Sequence, residues 1–131
     1  PQTVLTHSAQ SGRRHNHRDH RTCGTVALDA IFPYARDPLH FPELAGNGLQ
    51  PHKVATILLW GADTPDEFVD IGETLDIKVK AMLCHRSQFV DRPGPRRDRE
   101  PGAFMRENAA RWAEQSGLQY AEAFRMIQMR T

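Results

Sequence analysis

Val54-Ala55-Thr56-Ile57-Leu58-Leu59-Trp60 is the longest apolar run of the chain. It is rich in β-branched and aliphatic residues, and the turn-forming stretch Gly61 to Pro65 bounds it. A strand without polar alternation is one covered on both faces, as in parallel sheets flanked by helices. Upstream, Val4-Leu5 between Thr3 and Thr6 reads as a second short strand. Downstream, Phe68-Val69-Asp70-Ile71 reads as a brief strand feeding a helix. The polar residues 7 to 21 read as a loop. Val26, Ala27, Ala30 and Ile31 then fall at helical spacing and predict a helix from Thr22 to Phe32, with Pro33 near its end. Residues 37 to 52 carry Pro38, Pro42, Gly46, Gly48 and Pro51, and predict a long connection with one helical turn.

Ile71, Leu75, Val79 and Met82 or Leu83 make one apolar stripe, predicting a helix that runs to Gln88. Asp70 and Glu73 have capping-box spacing at its start. Residues 91 to 102 are charged and rich in Pro and Gly, and read as a mobile loop. A helix from Ala103 to Gln115 follows, with Phe104 and Trp112 as anchors and Gly117 as stop signal. A last amphipathic segment carries Tyr120, Phe124 and Ile127. Strands alternating with helices predict an α/β layered domain with a mainly parallel sheet. Two or three strands are few for such a sheet. The chain opens at Pro1 and meets Thr3-Val4-Leu5-Thr6 at once. Together these predict a single partial domain over residues 1 to 131, the sheet present only in part.

Seventeen basic residues face sixteen acidic ones, so net charge gives no pull toward nucleic acid or an anionic membrane. No apolar run approaches the roughly 20 residues of a membrane span. No signal peptide is visible at the start. Cys23 and Cys84 are too few for a disulfide framework, and a cytoplasmic setting is the simpler expectation.

His15, His17, Asp19 and His20 put chemically capable side chains within six residues. Imidazole is the commonest protein ligand for zinc and the commonest general acid or base near neutral pH. Three-residue spacing on a helical or tight-turn backbone can aim the His17 and His20 rings at one place. Asp19 could accept from an imidazole N–H, fixing its tautomer. The stretch follows a strand and precedes a helix, at the carboxyl edge of the sheet, where open α/β sheets bind ligands. Histidines in a polar loop are commonly solvated surface, and the clustering is what sets these apart.

Two metal motifs compete for the stretch. His15-x-His17-x-Asp19-His20 has the pattern of the metallo-β-lactamase zinc signature, in which all four side chains ligate and two metals bind. His17-Arg18-Asp19-His20 resembles the His-x-Asp-His second motif of the LmbE-like (PIG-L) zinc-dependent N-deacetylases. The first motif normally follows a hydrophobic strand directly and precedes glycine-rich residues. Here Ser11-Gly12-Arg13-Arg14 intervenes and Arg21-Thr22-Cys23 follows. The LmbE-like resemblance continues through most of the chain, from Pro1-Gln2-Thr3-Val4-Leu5-Thr6-His7 to Ala27-Leu28-Asp29-Ala30-Ile31-Phe32-Pro33-Tyr34-Ala35-Arg36-Asp37. It goes on through His40-Phe41-Pro42-Glu43-Leu44, Pro51-His52-Lys53-Val54, Leu59-Trp60-Gly61, Val69-Asp70-Ile71, His85-Arg86-Ser87-Gln88 and Ala121-Glu122-Ala123-Phe124.

This resemblance implies a Rossmann-like three-layer α/β fold and hydrolysis of an acetamide on an N-acetylglucosamine-derived substrate. It implies Zn2+ held by a His and an Asp of an N-terminal His-Pro-Asp-Asp motif plus the last His of the second motif. Carried onto this chain, His20 is the zinc ligand, His17 the general acid and Asp19 the group that orients His17. The chain departs from the pattern in containing no His-Pro-Asp-Asp. Asp63, Asp66 and Asp70 are loose carboxylates that match no motif. The expected partners are therefore a small N-acetylated sugar conjugate and the missing N-terminal half of the domain. Apolar surface left uncovered by that half would favour a homo-oligomer. A non-catalytic fragment that retains the fold is the remaining alternative.

His85 and Gln88, at a helix end, are weak substrate-binding candidates, with helix capping as the plainer role. His40 and His52 read as loop residues. Arg92, Arg96, Arg97 and Arg99 could touch phosphate, but mixed with Asp91, Asp98 and Glu100 they read as a solvated loop. Trp60 ends a strand and could reach a cleft; a core role is commoner for Trp60 and Trp112.

Overall fold

The computed structural model describes residues 1–9, 17–91, 100 and 102–130. Its elements in chain order are β1 (Thr3–His7), α1 (Arg18–Asp29), α2 (Pro42–Gly46), β2 (Thr56–Trp60), β3 (Glu67–Asp70), α3 (Leu75–Leu83), α4 (Arg86–Phe89), α5 (Ala103–Ala113) and β4 (Ala121–Gln128). The strand order is β1-β2-β4-β3. The predicted α/β class is thus present with four described strands, and the sheet is mixed. β1 pairs with β2 in parallel and β2 pairs with β4 antiparallel. The chain divides into two compact units, residues 1–67 with 124–131, and residues 68–123.

In the first unit β2 is the centre. Ile57 and Leu59 are buried while Leu58 is half-buried, so the strand alternates more than its uniform apolar sequence suggests. Ile57 and Leu59 form a core with Ile31 and Val54, and Val4, Leu28, Ile127 and Met129 pack on it. The register sets Thr3 opposite Thr56 and His7 opposite Trp60, so β1 and β2 end together. Asp66 closes the far side of β2's partner. Its carboxylate accepts from the Met126 backbone N–H at 2.8 Å and pairs with Arg125 at 2.5 Å.

α1 begins at Arg18, four residues before the predicted start at Thr22. His17 is its N-cap, and the His17 Nδ1 accepts from the Asp19 N–H at 3.3 Å. Imidazole is not among the preferred caps, so sequence propensity placed this turn in the loop. The helical path ends where Phe32 turns extended (φ −150°, ψ 122°), as the residue before a proline prefers.

In the second unit Ile71, Leu75, Val79 and Ala109 form the core, with Leu83, Met105 and Tyr120 around it, as the predicted stripe requires. Three local expectations are corrected here. Asp70 and Glu73 form no capping box: the Asp70 Oδ1 accepts from the Gly72 N–H at 2.8 Å, and Thr74 holds the cap position of α3. The predicted helix to Gln88 breaks after Leu83, and a separate turn, α4, follows His85. Phe104 is 61% exposed and is not a core residue among those described, whereas Ala109 and Ala113 are the buried face of α5. Trp112 is half-buried with its ring 6.5 Å from that of Phe68. Gly102 begins α5 at φ +95°, where an added Cβ would overlap a Val79 methyl, so both conformation and space require glycine. The predicted mobile loop, with Arg92, Arg96, Arg97 and Arg99, lies almost wholly outside the described residues.

Candidate active site

The carboxyl ends of β1 and β2 and the first turn of α1 converge within the first unit. β1 delivers His7, β2 delivers Trp60, and α1 delivers His17 and His20. The Ser8 N–H donates to the Trp60 carbonyl at 2.9 Å, extending the parallel pairing one residue past His7. The His7 ring centroid lies 3.9 Å from that of Trp60 and 4.3 Å from that of His20. The His17 and His20 rings are 5.9 Å apart, and His20 and Trp60 also 5.9 Å. The structure therefore brings His17 and His20 onto one helical turn, as their spacing allowed.

Gly24 explains why α1 can lie so close. A Cβ there would stand 2.5 Å from the His7 carbonyl oxygen and 3.1 Å from the Ala9 nitrogen. Gly24 is one turn beyond His20 on the same helix face, so the contact that needs glycine also lowers His20 onto His7.

The Asp19 Oδ2 lies 3.5 Å from the His17 Nδ1, with both side chains largely exposed. The same Nδ1 accepts the Asp19 N–H at 3.3 Å and so caps the helix. Burial, and next the proximity of His20, hold the His7 pKa below the ordinary imidazole value of 6.5. His7 was not singled out by spacing, since it lies ten residues before His17. Strand register was the signal that places it beside Trp60.

Among the described residues, no group of three or more His, Cys, Asp or Glu side chains could hold a metal ion. A catalytic zinc takes three protein ligands and an open position. The described donors therefore do not make a whole zinc cage; His20 could contribute at most one imidazole to a site completed by other residues. His15, the residue that would distinguish the four-ligand motif, lies outside the described residues. Asp66 is committed to Arg125 and Met126, and Asp70 to Gly72. Asp63 also has an interaction of its own.

His85 and Gln88 fall in the second unit, both exposed, with the Gln88 N–H donating to the His85 carbonyl at 2.9 Å. His40 faces Asp37 at 3.9 Å and Tyr34 edge-on, while His52 bonds the Pro1 carbonyl at 2.7 Å. An apolar groove of about 330 Å³ lies elsewhere in the first unit, between Tyr34, Phe41, Leu44 and Leu49. It holds none of the histidines. No described helix is long and apolar enough to cross a membrane.

No protein-family model matches the chain. The chain is 29% identical over 111 residues to a diacetylchitobiose deacetylase from Thermococcus kodakarensis, covering 85% of this chain and 40% of that protein. Among solved structures it resembles the N,N'-diacetylchitobiose deacetylase from Pyrococcus horikoshii, with a TM-score of 0.80 and 28% identity. That match covers 98% of this chain and 46% of the other. A conserved protein from Thermus thermophilus shares the fold, with a TM-score of 0.69 at 22% identity over 100% of this chain and 54% of that one. The chain thus spans less than half the length of these two diacetylchitobiose deacetylases.

Proposed function

We propose that this chain supplies one wall of a zinc-dependent N-deacetylase acting on an N-acetylglucosamine-derived substrate, within a complete Rossmann-like three-layer domain. The observation that carries the reading is the pairing of His17 and His20 on the first turn of α1, at the strand ends, in a chain whose fold follows a diacetylchitobiose deacetylase almost throughout.

In this reading His20 holds the metal. Zinc supplies Lewis acidity toward the acetamide carbonyl and the attacking water. The other two ligands and the general base belong to a His-Pro-Asp-Asp segment that this sequence does not contain. His17 is the general acid. Amide cleavage needs the departing nitrogen protonated, and an imidazolium beside a carboxylate can hold and release that proton. Asp19 keeps the ring aimed.

The test joins this chain to a segment bearing the His-Pro-Asp-Asp motif and measures zinc content and amine release from N,N'-diacetylchitobiose. His20→Ala should lose the metal. His17→Ala should keep it and lose turnover. If His15→Ala instead removes metal and the parent holds two zinc ions, the four-ligand hydrolase takes its place.

A further inference from the structure

Three rings meet at the strand ends. Trp60 contacts His7 at 3.9 Å, and His7 contacts His20 at 4.3 Å, with interplanar angles of 44° and 31°. Trp60 and His20 are themselves 5.9 Å apart, so the three centroids form a triangle with a near-right angle at His7. Each ring comes from a different element, and each element is fixed independently. The parallel register holds His7 against Trp60. The glycine contact at Gly24 holds α1 down on the His7 carbonyl.

We propose that His7 is a positioning residue: its flat ring, packed against both the Trp60 indole and the His20 imidazole, limits the rotation of the His20 ring and so orients it for the metal. This rests on the reading of His20 as a ligand. Shape is what supports it. Centroids at 3.9 and 4.3 Å put the His7 ring in van der Waals contact with both neighbours. His7 is also half-buried. A ligand ring that is already oriented loses less freedom on binding than one that turns freely.

The proposal separates ring shape from imidazole chemistry. His7→Phe keeps a flat ring against His20 and removes both nitrogens. His7→Ala removes the ring. In the 131-residue chain, the His20 ring carbon-bound proton resonances, identified by their loss in His20→Ala, should carry ring-current shifts from His7 and Trp60. His7→Phe should preserve a displaced, sharp His20 signal, and His7→Ala should move it toward the free-histidine position. In the chain joined to a His-Pro-Asp-Asp segment, titrating Zn2+ should move the His20 signal. Its midpoint should rise about 10–100-fold in His7→Ala, the usual cost of losing a group that supports a ligand, and less than about threefold in His7→Phe.

Backbone amide spectra report folding. Should the alanine variant unfold, His7→Phe still decides, because a packing role predicts retention and an imidazole role predicts loss. A His20 signal unchanged in a folded His7→Ala would overturn the proposal, as would a His7→Phe variant without the displaced signal. Failure of the underlying reading looks different: Zn2+ would leave the His20 signal of the joined protein unmoved while the ring-current pattern stood.

Discussion

Replacing Gly24 by alanine adds one methyl group at the point where α1 meets the end of β1. That carbon would lie 2.5 Å from the His7 carbonyl oxygen, about 0.9 Å inside ordinary contact, with the Ala9 nitrogen at 3.1 Å and the Ala9 Cα at 3.3 Å. All of these obstacles are backbone, so no side chain can swing aside. Alanine is the better helix former, by roughly 1 kcal/mol in a helix interior. Overpacking opposes this by about 1–3 kcal/mol. The net cost to stability should therefore be modest, about 0–2 kcal/mol. The geometric effect is larger than the energetic one. Relief of the clash lifts α1 by about 1 Å, and His20 rides on the same face one turn away; a displacement of that size in a catalytic group can cost about 100-fold in rate. Urea denaturation followed by circular dichroism gives the stability term. Zinc affinity and turnover of the joined protein give the site term. The expected result is a near-native stability with turnover reduced on the order of 100-fold. A variant stabilised by the full helix-propensity gain, with zinc affinity and turnover unchanged, would refute the reasoning.

Other consequences follow from the same contacts. His7 has its pKa held below 6.5 by burial and then by His20, so the unfolded chain takes up a proton before the folded one does as pH falls. Its contribution is present above the unfolded pKa and is lost as pH drops from there through the depressed folded pKa. Urea midpoints from about pH 8 to about pH 5 should fall on the acid side, and His7→Phe should flatten that fall, an unchanged slope being the contrary result. Asp66→Ala removes the acceptor of the Met126 N–H and the partner of Arg125, and should cost about 1–3 kcal/mol while leaving the zinc affinity of the joined protein alone. A lost metal without lost stability would instead make Asp66 a ligand.

The sequence carried the parts of the fold that rest on local chemistry. β2 was legible because Ile57, Leu58 and Leu59 are apolar, bulky and bounded by a glycine turn. The α3 stripe was legible because Leu75 and Val79 recur at one helical face. β4 was harder: Ala121-Glu122-Ala123-Phe124-Arg125-Met126-Ile127-Gln128 is rich in helix formers, and its strand state comes from pairing with β2, which no local window contains. The break at Cys84 and His85 is likewise set by context. At the site, His17, Asp19 and His20 were visible as a phrase, and their helical setting was not, because histidine caps a helix seldom. His7 and Gly24 were invisible as site residues. Their importance comes from strand register and from a helix lying on a strand end, both of which are products of tertiary packing.

In the proposed enzyme the first turn of α1 holds one ligand of a shared metal site, with the rest of the donor set on other residues. Zinc binding and N,N'-diacetylchitobiose deacetylation, measured side by side for the 131-residue chain and for the same chain joined to a His-Pro-Asp-Asp segment, test this most directly. The expected result is weak zinc binding and no turnover for the chain alone, and tight zinc binding with turnover, both lost in His20→Ala, for the joined protein. Turnover by the chain alone, or a joined protein whose zinc is indifferent to His20→Ala, would contradict it.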